Sequence, residues 1–174
     1  MSSRDNDTSY IAESLPAFIS EAEEHIEMLE QLLLQLESQP GDRELLDALF
    51  RSAHTIKGSA GIFGLERIVA FTHHIETLLD QLRAGKQAFT PTLGTLLLQC
   101  IDQIRLLIAA LTGTAADDAA AAEARDALVA QLRQAYGDDA GATVAAAMPP
   151  AAAVPAPAPA KTRHWQVSVA FGKD

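Results

Sequence analysis

The sequence predicts an all-α fold, an antiparallel up-down four-helix bundle with a fifth helix appended and a disordered linker after it. Hydrophobic residues make up 48% of the 174-residue chain but aromatic residues only 5%, so the core must consist mainly of Leu, Ile and Ala. That composition favours helices over sheets. Apolar residues also recur at spacings of three and four, and short segments with Gly or Pro interrupt them. Long helices joined by short turns are typical of an antiparallel bundle.

The first helix is predicted from about Thr8 to Ser38, and Pro40 and Gly41 end it. Its opposite face is rich in glutamate, which we interpret as a solvated surface and not an acidic docking site. The glutamates are Glu13, Glu21, Glu23, Glu24, Glu27 and Glu30. The apolar stripe consists of Ile11, Leu15, Phe18, Ile19, Ala22, Ile26, Leu29, Leu33 and Leu36.

The second and third helices follow closely. Asp42 can cap the second helix, and Gly64 stands where a helix C-terminus requires a positive φ. Its predicted buried stripe is Leu46, Leu49, Phe50, Ala53, Ile56, Ala60 and Phe63. The third helix is predicted from about Glu66 to Arg83, with Gly85 closing it. It is expected to bury Ile68, Phe71, Thr72, Ile75, Leu78, Leu79 and Leu82.

The fourth helix has the clearest period, and Thr90 followed by Pro91 marks its start. Its stripe is Leu93, Leu96, Leu97, Cys100, Ile101, Ile104, Leu107, Ile108 and Leu111, and Gly113 ends it. Because Cys100 lies on this stripe, we interpret it as a small buried hydrophobe. The fifth helix is expected to begin around Thr114, Asp117 and Asp118 and to run to about Tyr136. Its apolar stripe is thin (Leu128, Val129 and Leu132), which indicates packing at the bundle edge.

Three regions are predicted along the chain. Residues 8–136 form the helical domain, and residues 137–163 form an Ala/Pro-rich flexible linker. Residues 164–174 alternate apolar and polar positions through Trp165, Val167, Val169 and Phe171, which predicts one strand. A single strand cannot fold alone, so this segment is expected to be the start of a following domain in a longer protein.

Composition and charge limit the classes of function. The net charge is −10 and the pI about 4.8, so binding to nucleic acid is not expected. The single Cys100 excludes an internal disulfide and fits a reducing compartment. The N-terminal residues carry no apolar run of a signal peptide, and no stretch approaches the ~20 apolar residues that cross a bilayer. We therefore expect a cytoplasmic, monomeric domain without direct membrane insertion.

The stretch AHTIKGSAGIFG, residues 53–64, combines a histidine and a lysine with glycines inside a predicted helix. His54, Lys57, Gly58 and Gly61 share one face beside the buried stripe. Each glycine costs about 1 kcal/mol of helix stability relative to alanine. The glycines leave space for a bulky anion or a partner's backbone to approach His54, and Lys57 supplies a positive charge there.

The stretch FTHHIETLLD on the third helix carries polar residues that could face His54. His73 and Glu76 share a face with Asp80 one turn further on, whereas His74 points about 100° away. If the second and third helices pack antiparallel, Glu76 or His73 can lie beside His54. A carboxylate that accepts a hydrogen bond from Nδ1 fixes the tautomer and leaves Nε2 as a nucleophile. His74 is interpreted as a surface histidine without a role.

Together these residues resemble a known family. The run from His54 to Gly61, followed by Phe63, Gly64 and the stretch from Thr72 to Glu76, is similar to the histidine phosphotransfer (Hpt) domain. The version that it resembles is the N-terminal domain of CheA-type chemotaxis kinases, over about Ser9 to Tyr136. Ser59 departs from the glycine that is common in this family. The resemblance implies that His54 is phosphorylated, that Glu76 activates it and that Lys57 and His73 belong to the surrounding polar network, with Gly58 and Gly61 keeping the surface open.

The resemblance also implies the partners. A separate ATP-binding kinase domain would present the γ-phosphoryl group to His54, and an aspartate of a response-regulator receiver domain would accept it. ATP and Mg²⁺ would belong to the partner kinase, so no cofactor or metal is expected on this chain. The chain itself has no Walker-type glycine loop. It is therefore expected to be a phosphotransfer substrate, and the full-length protein a histidine protein kinase.

Three alternatives stay open at this point. A stand-alone phosphotransfer protein of a multistep relay would use the same site with a different direction of phosphoryl flow. A metal site, for example for zinc, could form from His54, His73 and Glu76, although Lys57 would oppose a cation. A helical interaction module without chemistry would explain the bundle but not Gly58 and Gly61.

Overall fold

The computed structural model describes the backbone of residues 3–137 and the side chains of residues 13–137. Within that range the chain forms five α-helices and no strand, which confirms the all-α prediction. Residues 138–163 of the linker predicted over 137–163, and the strand predicted in 164–174, lie outside the described residues. The helices are α1 Ser3–Ser38, α2 Arg43–Ile62, α3 Glu66–Arg83, α4 Pro91–Leu111 and α5 Ala119–Tyr136.

The helix ends follow the capping residues. The Asp42 carboxylate accepts hydrogen bonds from the backbone N–H groups of Glu44 and Leu45, and Thr90 Oγ1 accepts one from Leu93. Asp118 caps α5, so the preceding Asp117 lies outside that helix. It binds Arg67 of α3 and Arg125 of α5 instead and fixes the loop to both helices.

The start of α1 differs from the prediction. The helix begins at Ser3, before the predicted Thr8, and it contains Pro16. The first residues are polar and carry no apolar period, so nothing in the sequence separates them from a loop. A helix already nucleated by a buried stripe extends through such residues at low cost.

The four long helices form an antiparallel ring. Residue numbers rise along one helix while they fall along its neighbour: Arg83 of α3 lies beside Asp47 of α2, and Glu76 beside His54. In the same way Gly94 of α4 lies near Glu37 of α1, and further along α4 Arg105 binds Glu30. α5 packs outside the ring against α3 and α4. This arrangement confirms the predicted bundle with an appended fifth helix.

The core follows the predicted stripes, with exceptions at their edges. Phe50 and Phe63 were expected in the core of α2 but are half-buried. Both lie where the stripe meets the surface: Phe63 contacts Phe18 with ring centroids 5.2 Å apart, and Phe50 faces His54. Leu15, Ile19 and Leu111 are also half-buried, and Leu32 is buried although no stripe included it.

Helix α4 is the most apolar element. By length and composition alone it is long and apolar enough to cross a membrane. The expectation that no stretch of the sequence would approach this limit was therefore wrong. The bundle explains this apolar composition. Helix α4 contacts α1, α3 and α5, and more than half of its most apolar stretch is buried. Cys100 lies fully inside this helix packing, and burial raises the pKa of its thiol to about 12. The interpretation of Cys100 as a buried hydrophobe is confirmed.

Candidate functional site

Three side chains from α2 and α3 meet at the surface of the bundle. His54 Nδ1 lies 2.6 Å from Glu76 Oε1, and Lys57 Nζ lies 2.6 Å from Glu76 Oε2. His54 and Lys57 are three residues apart on α2 and therefore share a face, and the antiparallel packing of α3 places Glu76 opposite them. Of the two residues that the sequence offered as partners of His54, the structure brings Glu76 into contact.

Exposure separates the roles that these groups can take. The Glu76 side chain is only 10% exposed, whereas the His54 side chain is 61% exposed. A carboxylate can only accept a hydrogen bond, so Nδ1 is the donor, and in the neutral ring Nε2 then keeps its lone pair. The site therefore presents a nucleophilic ring nitrogen to solvent, with the group that fixes its tautomer held inside the bundle.

Lys57 stabilises the buried carboxylate. Its side chain is 21% exposed, and its contact with Glu76 Oε2 is an ion pair without hydrogen-bond geometry. A carboxylate buried without a partner would be strongly unfavourable, so this ammonium allows Glu76 to remain beneath His54. The same positive charge lies next to any anion that becomes attached to the imidazole.

The glycines leave bare backbone beside the histidine. Apart from its own stretch of helix, a Cβ atom added at Gly58 would meet no described atom within 4 Å, and one at Gly61 would only touch Val69 Cγ2 at 4.0 Å. Internal packing therefore requires neither glycine. Within the described residues, what these glycines provide is an open surface next to His54.

Phe50 is part of the site, although the sequence placed it only in the buried stripe of the second helix. Its ring stacks on the His54 imidazole, with an interplanar angle of 10° and centroids 6.0 Å apart. The guanidinium Cζ of Arg83 lies 4.0 Å from the centre of the Phe50 ring. Asp80, expected on the same face as Glu76, binds Arg83 instead. The spacing of four residues between Phe50 and His54 was the signal that could have revealed the contact.

His73 is half-buried, less exposed than His54 but less buried than Glu76. It lines a cavity of about 150 Å³ with Phe50, Glu76, Thr77 and Asp80. Its Nε2 is buried and makes no hydrogen bond to any described residue. Burial lowers the pKa of His73, the Lys57 charge lowers it further, and Glu76 opposes both effects. His73 thus lies next to Glu76, but its Nε2 makes no hydrogen bond to His54, Lys57 or Glu76.

His74 was expected to be a surface histidine without a role, but it holds α5. Its Nδ1 lies 2.6 Å from the Tyr136 hydroxyl, and the two rings stack within 8° of parallel. Gln81 Nε2 also donates a hydrogen bond to the Tyr136 carbonyl. Burial and then the charge of Arg133 lower the pKa of His74. The interaction with α5 could not be read from the local sequence, because Tyr136 lies 62 residues away.

The histidine pair predicts how stability depends on pH. His73 and His74 both have pKa values below 6.5 in the folded state. In the pH range between the folded pKa of each histidine and 6.5, the unfolded chain therefore binds more protons than the folded chain. The free energy of unfolding should therefore rise as the pH increases toward 6.5 and then gain nothing further from these groups. Urea unfolding at pH 5.5 and 7.5 measures this difference. The variant with His73→Gln and His74→Gln should show a smaller difference, and an unchanged difference would contradict the prediction.

No three His, Cys, Asp or Glu side chains within residues 13–137 gather into a group that could hold a metal ion. At the predicted alternative site, the second oxygen of Glu76 already contacts the Lys57 ammonium. A metal ion bound by His54, His73 and Glu76 would therefore lie close to the positive charge of Lys57, which opposes its binding. The geometry fits a nucleophilic histidine better than a metal centre.

Comparison with known proteins gives consistent matches. Residues 13–107 match the Hpt domain family. The chemotaxis protein CheA of Halobacterium salinarum is 39% identical over 100 residues, which is 58% of this chain and 15% of that protein. CheA of Cereibacter sphaeroides is 42% identical over 127 residues, 71% of this chain and 18% of that protein. The CheA phosphotransferase domain from Thermotoga maritima superposes with a TM-score of 0.56 at 32% identity, covering 58% of this chain and 96% of that structure.

Proposed function

The chain belongs to the Hpt domain family, and on that premise we propose that it is the phosphoryl-carrier domain of a chemotaxis-type two-component kinase. His54 accepts the γ-phosphoryl group of ATP from a separate kinase domain and passes it to an aspartate of a response regulator. The observation that carries the proposal is the exposed His54 ring, held through Nδ1 by the buried Glu76.

In the first transfer, the Nε2 lone pair of His54 attacks the γ-phosphorus. A P–N bond forms, and the bond from phosphorus to the bridging oxygen breaks, so ADP leaves with that electron pair. The imidazole becomes positively charged while Nδ1 keeps its proton, and Glu76 stabilises this charge through the existing hydrogen bond. Lys57 offsets part of the negative charge that accumulates on the transferring group.

In the second transfer, a carboxylate oxygen of the receiver aspartate attacks the phosphorus, and the P–N bond breaks. Its electron pair returns to Nε2, and His54 regains its starting tautomer. Because Nδ1 stays protonated throughout, neither step requires a base to remove a proton from the imidazole. Glu76 therefore acts by orienting the ring and stabilising its charge, and His54 is the residue that forms bonds.

The proposal includes the setting of the domain. The aligned region makes up less than a fifth of either CheA relative, so the kinase domain would lie elsewhere in a longer protein or in a partner chain. ATP and Mg²⁺ are then held by that kinase domain, and the receiver belongs to a separate response regulator. A cytoplasmic location agrees with these soluble partners and with the single, buried Cys100.

A two-stage labelling experiment tests the proposal. The chain is incubated with Mg²⁺, γ-labelled ATP and a CheA kinase fragment that lacks its own Hpt domain but phosphorylates its native one. Acid-labile, base-stable label on this chain is expected. Addition of a purified receiver domain from a chemotaxis system should then transfer the label to an acyl phosphate, which base removes. Absence of label from a chain shown to be folded, with kinase fragments from several relatives, would contradict the proposal.

The open surface beside His54 predicts the result of Gly58→Ala. The added methyl group meets open space, so the helix should gain about 1 kcal/mol from the better helix propensity of alanine. Phosphorylation by the kinase fragment should nevertheless slow, because the methyl group lies where a partner approaches. Thermal unfolding and labelling rates measure the two effects. Ser59→Ala is the control on the same helix, and a Gly58→Ala variant that is phosphorylated at the wild-type rate would contradict the role in access.

A further inference from the structure

We propose that Phe50 is a positioning residue for the His54 imidazole and that Arg83 holds the Phe50 ring in place. The inference rests on the proposed function, since it concerns the residue that accepts the phosphoryl group. It adds a second constraint on the ring, on the side that Glu76 does not contact.

One hydrogen bond does not fix an exposed ring. Glu76 contacts His54 only at Nδ1, and the His54 side chain is 61% exposed, so the imidazole could still rotate about that contact. The Phe50 ring lies one helical turn earlier on α2 and is parallel to the imidazole within 10°. The centroid distance of 6.0 Å is within the range of favourable aromatic pairs. Phe50 therefore restrains the plane of the imidazole.

Arg83 fixes Phe50 from the neighbouring helix. Its Cζ atom lies 4.0 Å from the centre of the Phe50 ring, which is a cation–π contact. The guanidinium is itself held at 2.8 Å by Asp80 Oδ1 of α3, and its Nε lies 3.7 Å from Asp47 Oδ1 of α2. The stack of guanidinium, benzene ring and imidazole thus links both helices of the site.

The position of Phe50 indicates that its aromatic face matters more than its volume. Phe50 is half-buried, and it lines the cavity beside His73 and Glu76 without entering the fully buried core. The direction of the Nε2 lone pair follows the plane of the ring, and in-line attack on phosphorus depends on that direction. We therefore expect Phe50→Leu to lower the phosphorylation rate at saturating kinase about tenfold, with a smaller change in KM.

Matched variants test this role. Phe50→Tyr retains the aromatic face and should restore most of the rate. Phe63→Leu is the control, since Phe63, the residue that follows α2, is also a half-buried phenylalanine but contacts Phe18 and not His54. It should lose comparable stability in urea unfolding while keeping the wild-type rate. An equal loss of rate in Phe50→Leu and Phe63→Leu would overturn the proposal, as would a wild-type rate in Phe50→Leu.

Arg83→Gln separates positioning from attraction of the phosphate. If Arg83 acts through Phe50, Arg83→Gln should slow phosphorylation severalfold in the wild type but add nothing to Phe50→Leu. An equal additional loss in both backgrounds would show that the arginine acts independently of Phe50 and would overturn its role in the stack.

Proton NMR of the free chain gives a measurement that needs no kinase. The Phe50 ring current should shift the His54 ring protons, and the shift should be lost in Phe50→Leu and kept in Phe50→Tyr and Phe63→Leu. Unchanged His54 resonances in Phe50→Leu would contradict the stack. If the resonances behave as expected but the wild-type chain takes no label, the proposed function fails while the contact itself stands.

Discussion

A chain with His54→Gln is expected to take up no acid-labile label from the kinase fragment, which is the largest effect that the site predicts. Glutamine is close to histidine in size and can still donate a hydrogen bond to Glu76 Oε1, so the fold and the Lys57–Glu76 ion pair should persist. It has no ring nitrogen with a free lone pair, and the amide nitrogen is not a nucleophile toward phosphorus. The rate of labelling should fall to the background of the assay.

His25→Gln provides the matched control for this result. His25 is a half-buried histidine on α1, away from the α2–α3 site. The same substitution there should leave the rate and extent of labelling unchanged. Circular dichroism and urea unfolding of both variants verify that the helices form. Label that persists in His54→Gln, or label that is lost in His25→Gln, would contradict the assignment of His54 as the phosphoryl acceptor.

The helical framework could be predicted because its signals are local. Apolar residues at spacings of three and four marked each buried stripe, and Asp42, Thr90 and Pro91 marked helix starts through caps that act within a few residues. The start of α1 was missed because polar residues that extend a helix carry no such period. The membrane-like composition of α4 arises from contact with three other helices, which only the assembled bundle displays.

The site was predictable to the extent that its residues share a helix face. His54 and Lys57 could be grouped by their spacing, and Glu76 followed from antiparallel packing of α2 and α3. Residue spacing alone left both Glu76 and His73 as partners of His54, because the choice depends on how far one helix is rotated against the other; only the family resemblance selected Glu76. The contacts of Arg83 with Phe50 and of Tyr136 with His74 also depend on this rotation.

The second large effect is expected for Glu76→Gln. The substitution preserves the size of a side chain that is 10% exposed but removes the negative charge that holds the Nδ1 proton and pairs with Lys57. The amide can present either its oxygen or its NH₂ group to His54, so the tautomer with the lone pair on Nε2 loses its preference. The phosphorylation rate at saturating kinase should fall about 10- to 100-fold.

Measurements at two levels check this expectation. Initial rates over a range of kinase concentrations should show that the loss lies in kcat and not in KM, because the Glu76 side chain is only 10% exposed and offers little surface to the partner. Nitrogen NMR of the free domain should show mainly the Nδ1–H tautomer of His54 in the wild type and a mixture in Glu76→Gln. Glu27→Gln, on the exposed face of α1, is the control and should change neither quantity.

Lys57→Gln completes the test, because it acts on the same carboxylate. Lys57 could contribute mainly by holding Glu76 in place. Lys57→Gln should then slow the wild type clearly but slow the Glu76→Gln variant very little. If the lysine mainly offsets charge on the phosphoryl group, the two losses should multiply.

A wild-type rate and a wild-type tautomer in Glu76→Gln would contradict the role of Glu76. The hydrogen bond to Nδ1 would then have no part in activating His54, and the exposed imidazole would have to react without it.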